Sequence, residues 1–368
     1  MRTLWDAIAG RDSEADQRSQ HLGHREGGTG PRPEDAAATG GGDSPERTEK
    51  ESSDPREQAG ATALVPYTGP QLGSASYEGH PVRLPLRTGS ASAGVVADRG
   101  NWGPFTVYAA SQAGADHEVR GRYREDAYAF SGCTDEPSVI VVAVADGVSS
   151  SWAAHAAAGV GASQIVRTLS EQVGRHGPPT PEKWDKRARQ AVRSVARLLE
   201  TARLKRQAAA AAYELPVDTS PQEPRPPATT LVFAVCYRSE RGFEVYYGGV
   251  GDARVDVLNL TRQSWSHLYP REGSSPAHDN RTNAMPRDAD TVRMGCATLA
   301  DDDVIALASD GFGKGLDVQP QVLATEIASV IGQSPKASDF LRMVDWKMRG
   351  NNDDRTVAVV WSHPPRGA

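Results

Sequence analysis

The chain has 368 residues, of which only 38% are hydrophobic, and its mean hydropathy is −0.52. That length allows one large domain or two smaller ones, but the composition implies less folded mass than the length permits. A formal net charge of −6, with no long basic run, gives no electrostatic case for a nucleic-acid partner.

Residues 1–60 read as a disordered tail. Between Arg11 and Gly60 the only large apolar residue is Leu22, too little to offset the entropy of ordering the segment. Leu4, Trp5 and Ile8 can share one face of a short helix, as a docking peptide or as a frayed terminus. Residues 61–101 read as a linker that packs in part on a domain spanning 102–363. Regular structure is expected from about Trp102, with strands at FTVYAAS and DAYAFSG. The run SVIVVAVAD is almost unbroken in β-branched and small apolar residues, so it is expected to be a buried central strand ending at Asp146.

Two helices are expected next, from Ala153 to Val173 and from Glu182 to Glu214, before PVDTSPQEPRPP interrupts the chain. TTLVFAVCYR, FEVYYGGVGD and ARVDVLNL read as strands. The last two are expected to form an antiparallel hairpin about a Gly-Asp turn. Residues 262–290 read as a surface loop, DVIALASDG as a buried strand, and Pro320–Ile331 and Pro335–Arg349 as helices. RTVAVVW closes the sheet. The order predicts an α+β fold with mostly antiparallel sheet and helices in antiparallel pairs.

The cysteines Cys133, Cys236 and Cys296 lie far apart, which suggests neither a disulfide framework nor a zinc site and fits a reducing cytoplasm. No stretch approaches the roughly 20 apolar residues of a membrane span. No signal peptide is visible. The expected location is cytoplasmic, with no membrane partner.

Acidic residues gather at strand ends. VAVADG ends at Asp146 and ALASDG at Asp310. Glu125 and Asp126 enter a strand, Asp353 and Asp354 enter the last one, and Asp252 sits at the Gly-Asp turn. Singly, each is most often an ordinary turn. Together, converging carboxylates repel unless a cation joins them, and hard divalent ions such as Mg²⁺ and Mn²⁺ take oxygen ligands. The glycine after Asp146 would let a backbone carbonyl reach such an ion without a Cβ in the way. Ser149–Ser151 read as a helix N-cap, Trp152 as packing at the helix start, and His117 and His155 as structural residues.

In order, RGRYREDAYAF, VVAVADGV, PATTLVFAV, YYGGVGDAR, IALASDGF and NDDRTVAVV resemble the protein phosphatase 2C family, the metal-dependent serine/threonine phosphatases, over about residues 103–362. The stretch GADHEVRGRYREDA is similar to the bacterial branch. The resemblance implies a β-sandwich of two mostly antiparallel sheets flanked by antiparallel helix pairs, and two Mn²⁺ or Mg²⁺ ions. Asp146 would bridge both ions, Glu125 and the Gly147 carbonyl would serve one, and Asp310 and Asp353 the other. Asp126 would orient waters on the metals. Asp252 would join Asp310 at a third ion. A metal-activated water would attack phosphorus directly in phosphoserine or phosphothreonine. The implied partners are phosphoprotein substrates, with a kinase or other signalling partner for the N-terminal tail.

Three departures from the family pattern stand out. VSSSW follows Gly147, which places no histidine general acid there. Pro227-Ala228-Thr229-Thr230 replaces the usual Gly-Gly-Thr-Thr. The phosphate-holding arginine falls on Arg120 or Arg122, with Arg124 also close to Glu125. These departures motivate a rival reading: a catalytically weak phosphatase-like module that binds phosphoproteins, or a partner through its tail.

Overall fold

The computed structural model describes residues 94–212, 226–269, 282–332 and 336–362. The expected tail over 1–60 and residues 61–93 of the expected linker lie outside the described residues.

The strand Glu136–Asp146 (β4) shows why the fold is layered. Its β-branched residues favour extended backbone, and successive side chains point to opposite faces. Val139, Val141, Ala143 and Ala145 pack under helices, whereas Ile140, Val142 and Val144 pack against a second sheet. A strand apolar on both faces has to be interior.

Two antiparallel sheets follow from that arrangement. The first joins Asp126–Cys133 (β3), β4, Leu231–Ser239 (β5), Gly242–Val250 (β6) and Arg293–Leu299 (β9), in that spatial order. The second contains Val95–Trp102 (β1), Phe105–Gln112 (β2), Arg254–Asn259 (β7), Ser264–His267 (β8), Asp303–Ala308 (β10) and Arg355–Ser362 (β11), ordered β1-β2-β11-β10-β7-β8. Their inner faces form one core, with Phe105, Val107, Ile305, Leu307 and Val360 meeting Val142, Val232 and Ala234.

Helices cover both outer faces. Ala154–His176 (α2) and Pro181–Ala212 (α3) lie on the five-stranded sheet. The buried residues Trp184, Ala188, Ala191, Val192, Val195 and Leu199 recur every three to four positions, the spacing of one helix face. The Trp184 ring meets Phe233 and Tyr246 edge-on at 6.1 and 5.8 Å, and its Nε1 donates to the Tyr247 carbonyl at 3.0 Å. Asp310–Val318 (α4), Pro320–Gly332 (α5) and Ala337–Phe340 (α6) cover the six-stranded sheet, with Phe312, Leu323, Ile327 and Phe340 against Tyr108, Val304 and Val357. The expected α+β sandwich, helices outside two sheets, is the observed one. Among the described residues, no helix is long and apolar enough to cross a membrane. Cys133 and Cys236 are buried and Cys296 is exposed, all as free thiols.

Several local expectations are corrected. Among the described residues regular structure begins at Val95, inside the expected linker, because VVADRGNW is an edge strand paired only with β2 and tolerates Asp98, Arg99 and Asn101. FEVYYGGVGD and ARVDVLNL do not form a hairpin: β6 pairs with β5 and β9, and β7 with β10 and β8. Gly251, at φ +100, turns the chain from one sheet to the other, and a Cβ there would stand 2.7 Å from the Asn283 carbonyl. Alternation along two strands does not say which partner each will take. The expected 262–290 loop contains β8, and its residues 270–281 lie outside the described ones.

The helix expected over Pro335–Arg349 shrinks to α6 and a 3₁₀ turn at Leu341–Met343. Trp346 Nε1 takes the Met343 carbonyl at 3.0 Å and Arg355 Nε takes that of Val344 at 2.7 Å, which diverts acceptors that a longer helix would need. The serine run is not an N-cap either. Ala153 stands at the cap in a left-handed conformation without a side-chain bond, while the Ser151 hydroxyl exchanges hydrogen bonds with the Ala228 backbone.

Trp184→Ala removes the ring that seats α3 on the sheet. It should cost about 3–5 kcal/mol, read as a lower urea midpoint with an unchanged denaturant slope.

Candidate functional site

The carboxylates gather where the ends of the two sheets meet. Asp126 opens β3 and is the direct register partner of Asp146, the last residue of β4. The Asp146 carbonyl accepts from Thr230 N at 2.7 Å and from Thr229 Oγ1 at 2.8 Å, which fixes the strand end. Gly147 follows, its N–H donating to the Glu125 carbonyl at 3.1 Å. A Cβ on Gly147 would come within 2.5 Å of the Ala154 carbonyl, so no other residue fits there without displacing α2. Asp310 begins α4, Asp353 lies in the approach to β11, and Asp252 lies between β6 and β7.

Asp354 assembles this corner. Its Oδ1 accepts from Gly114 N at 2.7 Å and meets His117 Nδ1 at 2.8 Å, while its Oδ2 accepts from Glu125 N at 2.5 Å. His117 sits on Ala115–Arg120 (α1), a short helix whose approach is close: a Cβ on Gly114 would lie 2.1 Å from the Asn352 carbonyl. Burial alone would lower the pKa of His117, but Asp354 and Glu125 raise it overall.

The electrostatics are those of an unneutralised acidic cluster. Burial, and then the charges of Asp126, Asp310, Asp353 and Asp252, hold the Asp146 carboxyl well above the ordinary range. Burial and the charge of Asp354 do the same to Asp126, against hydrogen bonds from Ser309 and Thr356. Asp353 and Asp252 are also raised, by burial first and then by Asp310. Glu125 Oε2, Asp126 Oδ2 and Asp310 Oδ1 are buried without a hydrogen-bond partner. Orphaned carboxylate oxygens beside a backbone carbonyl are the donor set of a hard divalent cation. The residues therefore fit the expected Mn²⁺ or Mg²⁺, although among the described residues no three acidic, histidine or cysteine side chains already close into a cage.

One cation is already there. Lys314, four residues after Asp310 on α4, places Nζ 2.8 Å from Asp310 Oδ2 and 3.4 Å from Asp353 Oδ2. Burial opposes its charge, but the two carboxylates outweigh that and raise its pKa. Beside it, a cavity of about 240 Å³ is lined by Asp252, Ala253, Arg254, Tyr269, Arg293, Asp310 and Lys314.

The three arginines separate. Arg122 Nη2 reaches Glu125 Oε1 at 3.0 Å and the Ser149 carbonyl at 3.3 Å, at the rim of the site. Arg120 instead pairs with Asp116 at 2.9 Å on the exposed side of α1. Arg124 is buried beside Asp126, and burial lowers its pKa. The Arg122 pairing also means that the Glu125 side chain is engaged by a guanidinium while the aspartates face one another. His155 packs on the Tyr123 ring, centroids 4.9 Å apart. The two unusual turns touch: Val148 N donates to the Ala228 carbonyl at 3.0 Å, and Gly147 bridges to Thr229.

The sequence model of the family described as Protein phosphatase 2C matches residues 113–343, more than half of the chain. The chain belongs to the protein phosphatase 2C family. No curated protein matches it in a sequence search. The chain is also similar to solved structures. PppA, a key regulatory component of T6SS in Pseudomonas aeruginosa, is 18% identical, with 72% of this chain and 100% of that one covered and a TM-score of 0.43. The serine/threonine phosphatase of S. agalactiae is 15% identical, covering 73% and 100%, with a TM-score of 0.45. The serine/threonine phosphatase Stp1 from Staphylococcus aureus is 13% identical, covering 73% and 95%, also at 0.45.

Within this phosphatase 2C fold, sequence reasoning missed Lys314, while His117, read as structural, is buried against Asp354. The Lys314 signal was its i+4 spacing from Asp310, hidden because three glycines in DGFGKGLDV disguise a helix. The partner of His117 left no mark, since Asp354 lies 237 residues away in sequence.

Asp354→Ala leaves the Gly114 and Glu125 N–H groups and the His117 ring without their acceptor. Each stranded group costs about 1–3 kcal/mol, so chemical denaturation in chelator should show a loss of at least about 2 kcal/mol. Asp354→Asn, which keeps one oxygen but offers NH₂ to a second donor, should fall between the two.

Proposed function

We propose that this chain is a metal-dependent protein serine/threonine phosphatase that hydrolyses phosphoserine and phosphothreonine in proteins. The observation that carries the reading is the convergence of Asp126, Asp146, Asp252, Asp310 and Asp353 at strand and helix ends, with the charges of the other four raising the Asp146 carboxyl, in a chain of the phosphatase 2C family. Asp146, central to the set, would be shared between two carboxylate groups. Glu125 and the Gly147 carbonyl would serve on one side, Asp310 and Asp353 on the other, and Asp252 with Asp310 lines the cavity. Mn²⁺ or Mg²⁺ bound there supplies Lewis acidity, which lowers the pKa of a nucleophilic water and offsets charge on the phosphoryl oxygens. Asp126, oriented by Ser309 and Thr356, would hold a proton of that water.

Arg122 is the arginine placed to grip a phosphate, since it already reaches the rim and its planar fork suits two phosphoryl oxygens. Arg120 faces away. In the hydrolysis the water oxygen would bond to phosphorus as the bond to the serine or threonine oxygen breaks, and that leaving oxygen would take its proton from a water in the site, since no histidine stands beside Gly147. The substrates would be phosphoproteins, and residues 1–60 offer a segment for engaging a kinase or other signalling partner. A phosphatase-like binding module, the rival, would show neither turnover nor a metal-induced rise in Tm.

The purified chain should release phosphate from p-nitrophenyl phosphate only with Mn²⁺ or Mg²⁺. Asp146→Asn should lower kcat by about 100-fold or more. Because the folded pKa of Asp146 is raised, this carboxylate subtracts stability above its unfolded pKa of about 3.9. The Asn variant should therefore keep or raise the Tm in chelator while losing activity. An active Asp146→Asn enzyme, or none active in any metal, would sink the reading. Arg122→Ala should raise KM by about tenfold, with Arg120→Ala close to wild type.

A further inference from the structure

The Lys314 ammonium lies between the Asp310 and Asp353 carboxylates, at 2.8 and 3.4 Å, the pair that would serve a second divalent ion. We infer that Lys314 is a resident cation of the site: it fills the seat shared by Asp310 and Asp353, so the chain holds one Mn²⁺ where the full carboxylate set would hold two. This rests on the metal-dependent reading above and sharpens it.

The placement is built into the backbone. Lys314 stands one helical turn after Asp310, so both side chains leave the same face of α4. The rotation of that helix is fixed on both sides by contacts closer than any side chain allows. A Cβ on Gly311 would lie 1.9 Å from the Asp354 carbonyl, and one on Gly313 would lie 2.5 Å from Arg254 Cδ. Asn351 Nδ2 also donates to the Gly311 carbonyl at 2.7 Å. Asp353 is thereby held against the first turn of α4, within 3.4 Å of Nζ.

Charge supports the same assignment. One ammonium between two carboxylates lessens the repulsion that an empty pair would suffer, and a divalent ion entering there would have to expel it. Asp146 is flanked by carboxylates, and Asp126 has only the buried Arg124 beside it, which leaves Asp126 Oδ2 without a hydrogen bond. Divalent metal is therefore directed to the Asp146 side. Lys314 also lines the cavity with Asp252 and Asp310, so the same ammonium weakens a third ion there.

The test is Mn²⁺ titration of the full-length, chelator-stripped chain by calorimetry, with Lys314→Met and Lys314→Gln alongside. Electron paramagnetic resonance at saturation distinguishes a lone Mn²⁺ from a magnetically coupled pair. The expected result is one Mn²⁺ per wild-type chain with an uncoupled six-line signal, and two in either variant with a coupled signal. Equal stoichiometry in wild type and variants overturns the inference while leaving the phosphatase reading intact. If no form of the protein binds Mn²⁺, the phosphatase reading fails and takes the inference with it. Wild type alone decides the matter if both variants fail to fold, since a coupled pair in it refutes the assignment and a single ion supports it.

Discussion

The Asp354 carboxylate joins Gly114, His117 and Glu125, which lie 240, 237 and 229 residues away in sequence. Contacts of such separation carry the loop-closure cost of most of the chain. This one stands at the end of the sandwich where β3, β4 and α4 and the approach to β11 present acidic residues. Asp354 is itself an acid, yet it spends both oxygens on backbone N–H groups and an imidazole. It can sit fully buried among carboxylates because its lone pairs are satisfied.

Around that clasp the protein tolerates a strained distribution of charge. Asp126 and Asp146 are adjacent in the ladder, and both carboxyls are pushed well above the ordinary range. A fold evolved for stability alone would replace one of them. Retaining both, in a protein phosphatase 2C chain, is what a site keeps when ligand binding matters more than the stability of the free protein. The glycines follow the same logic. Gly114, Gly147 and Gly311 each occupy a position where a Cβ would overlap backbone, and the three overlaps bring α1, α2 and α4 in turn onto the acidic corner.

Much of this was legible in the sequence. The unbroken run at 138–146 marked a strand buried on both faces, and the acidic residues at strand ends marked the corner, because both signals are local. The partner of each strand was not legible. β6 and β7 alternate alike, and nothing in GGVGDAR says that Gly251 sends the chain to another sheet. Edge strands β1 and β8 escaped notice because a strand with one neighbour needs little apolar sequence. The discrimination among Arg120, Arg122 and Arg124 also required coordinates. Three arginines at alternate positions are equivalent on paper until α1 ends at Gly121, whose left-handed φ of 66° turns the chain between the first two.

The contact between Trp102 and Gly132 bears on the acidic corner from a distance. A Cβ on Gly132 would fall 2.0 Å from the Trp102 ring, and the β3–β4 register shifts between Gly132 and Cys133. β3 is otherwise only half-buried along most of its length, so its apolar pattern fixes its alignment weakly. The indole and the bulge act as a stop at the far end of the strand, about 20 Å from Asp126 at the usual rise per residue. A slip of one residue there would exchange the faces of β3 and take Asp126 away from Asp146. The spacing of the two carboxylates is thus set by a tryptophan that touches neither.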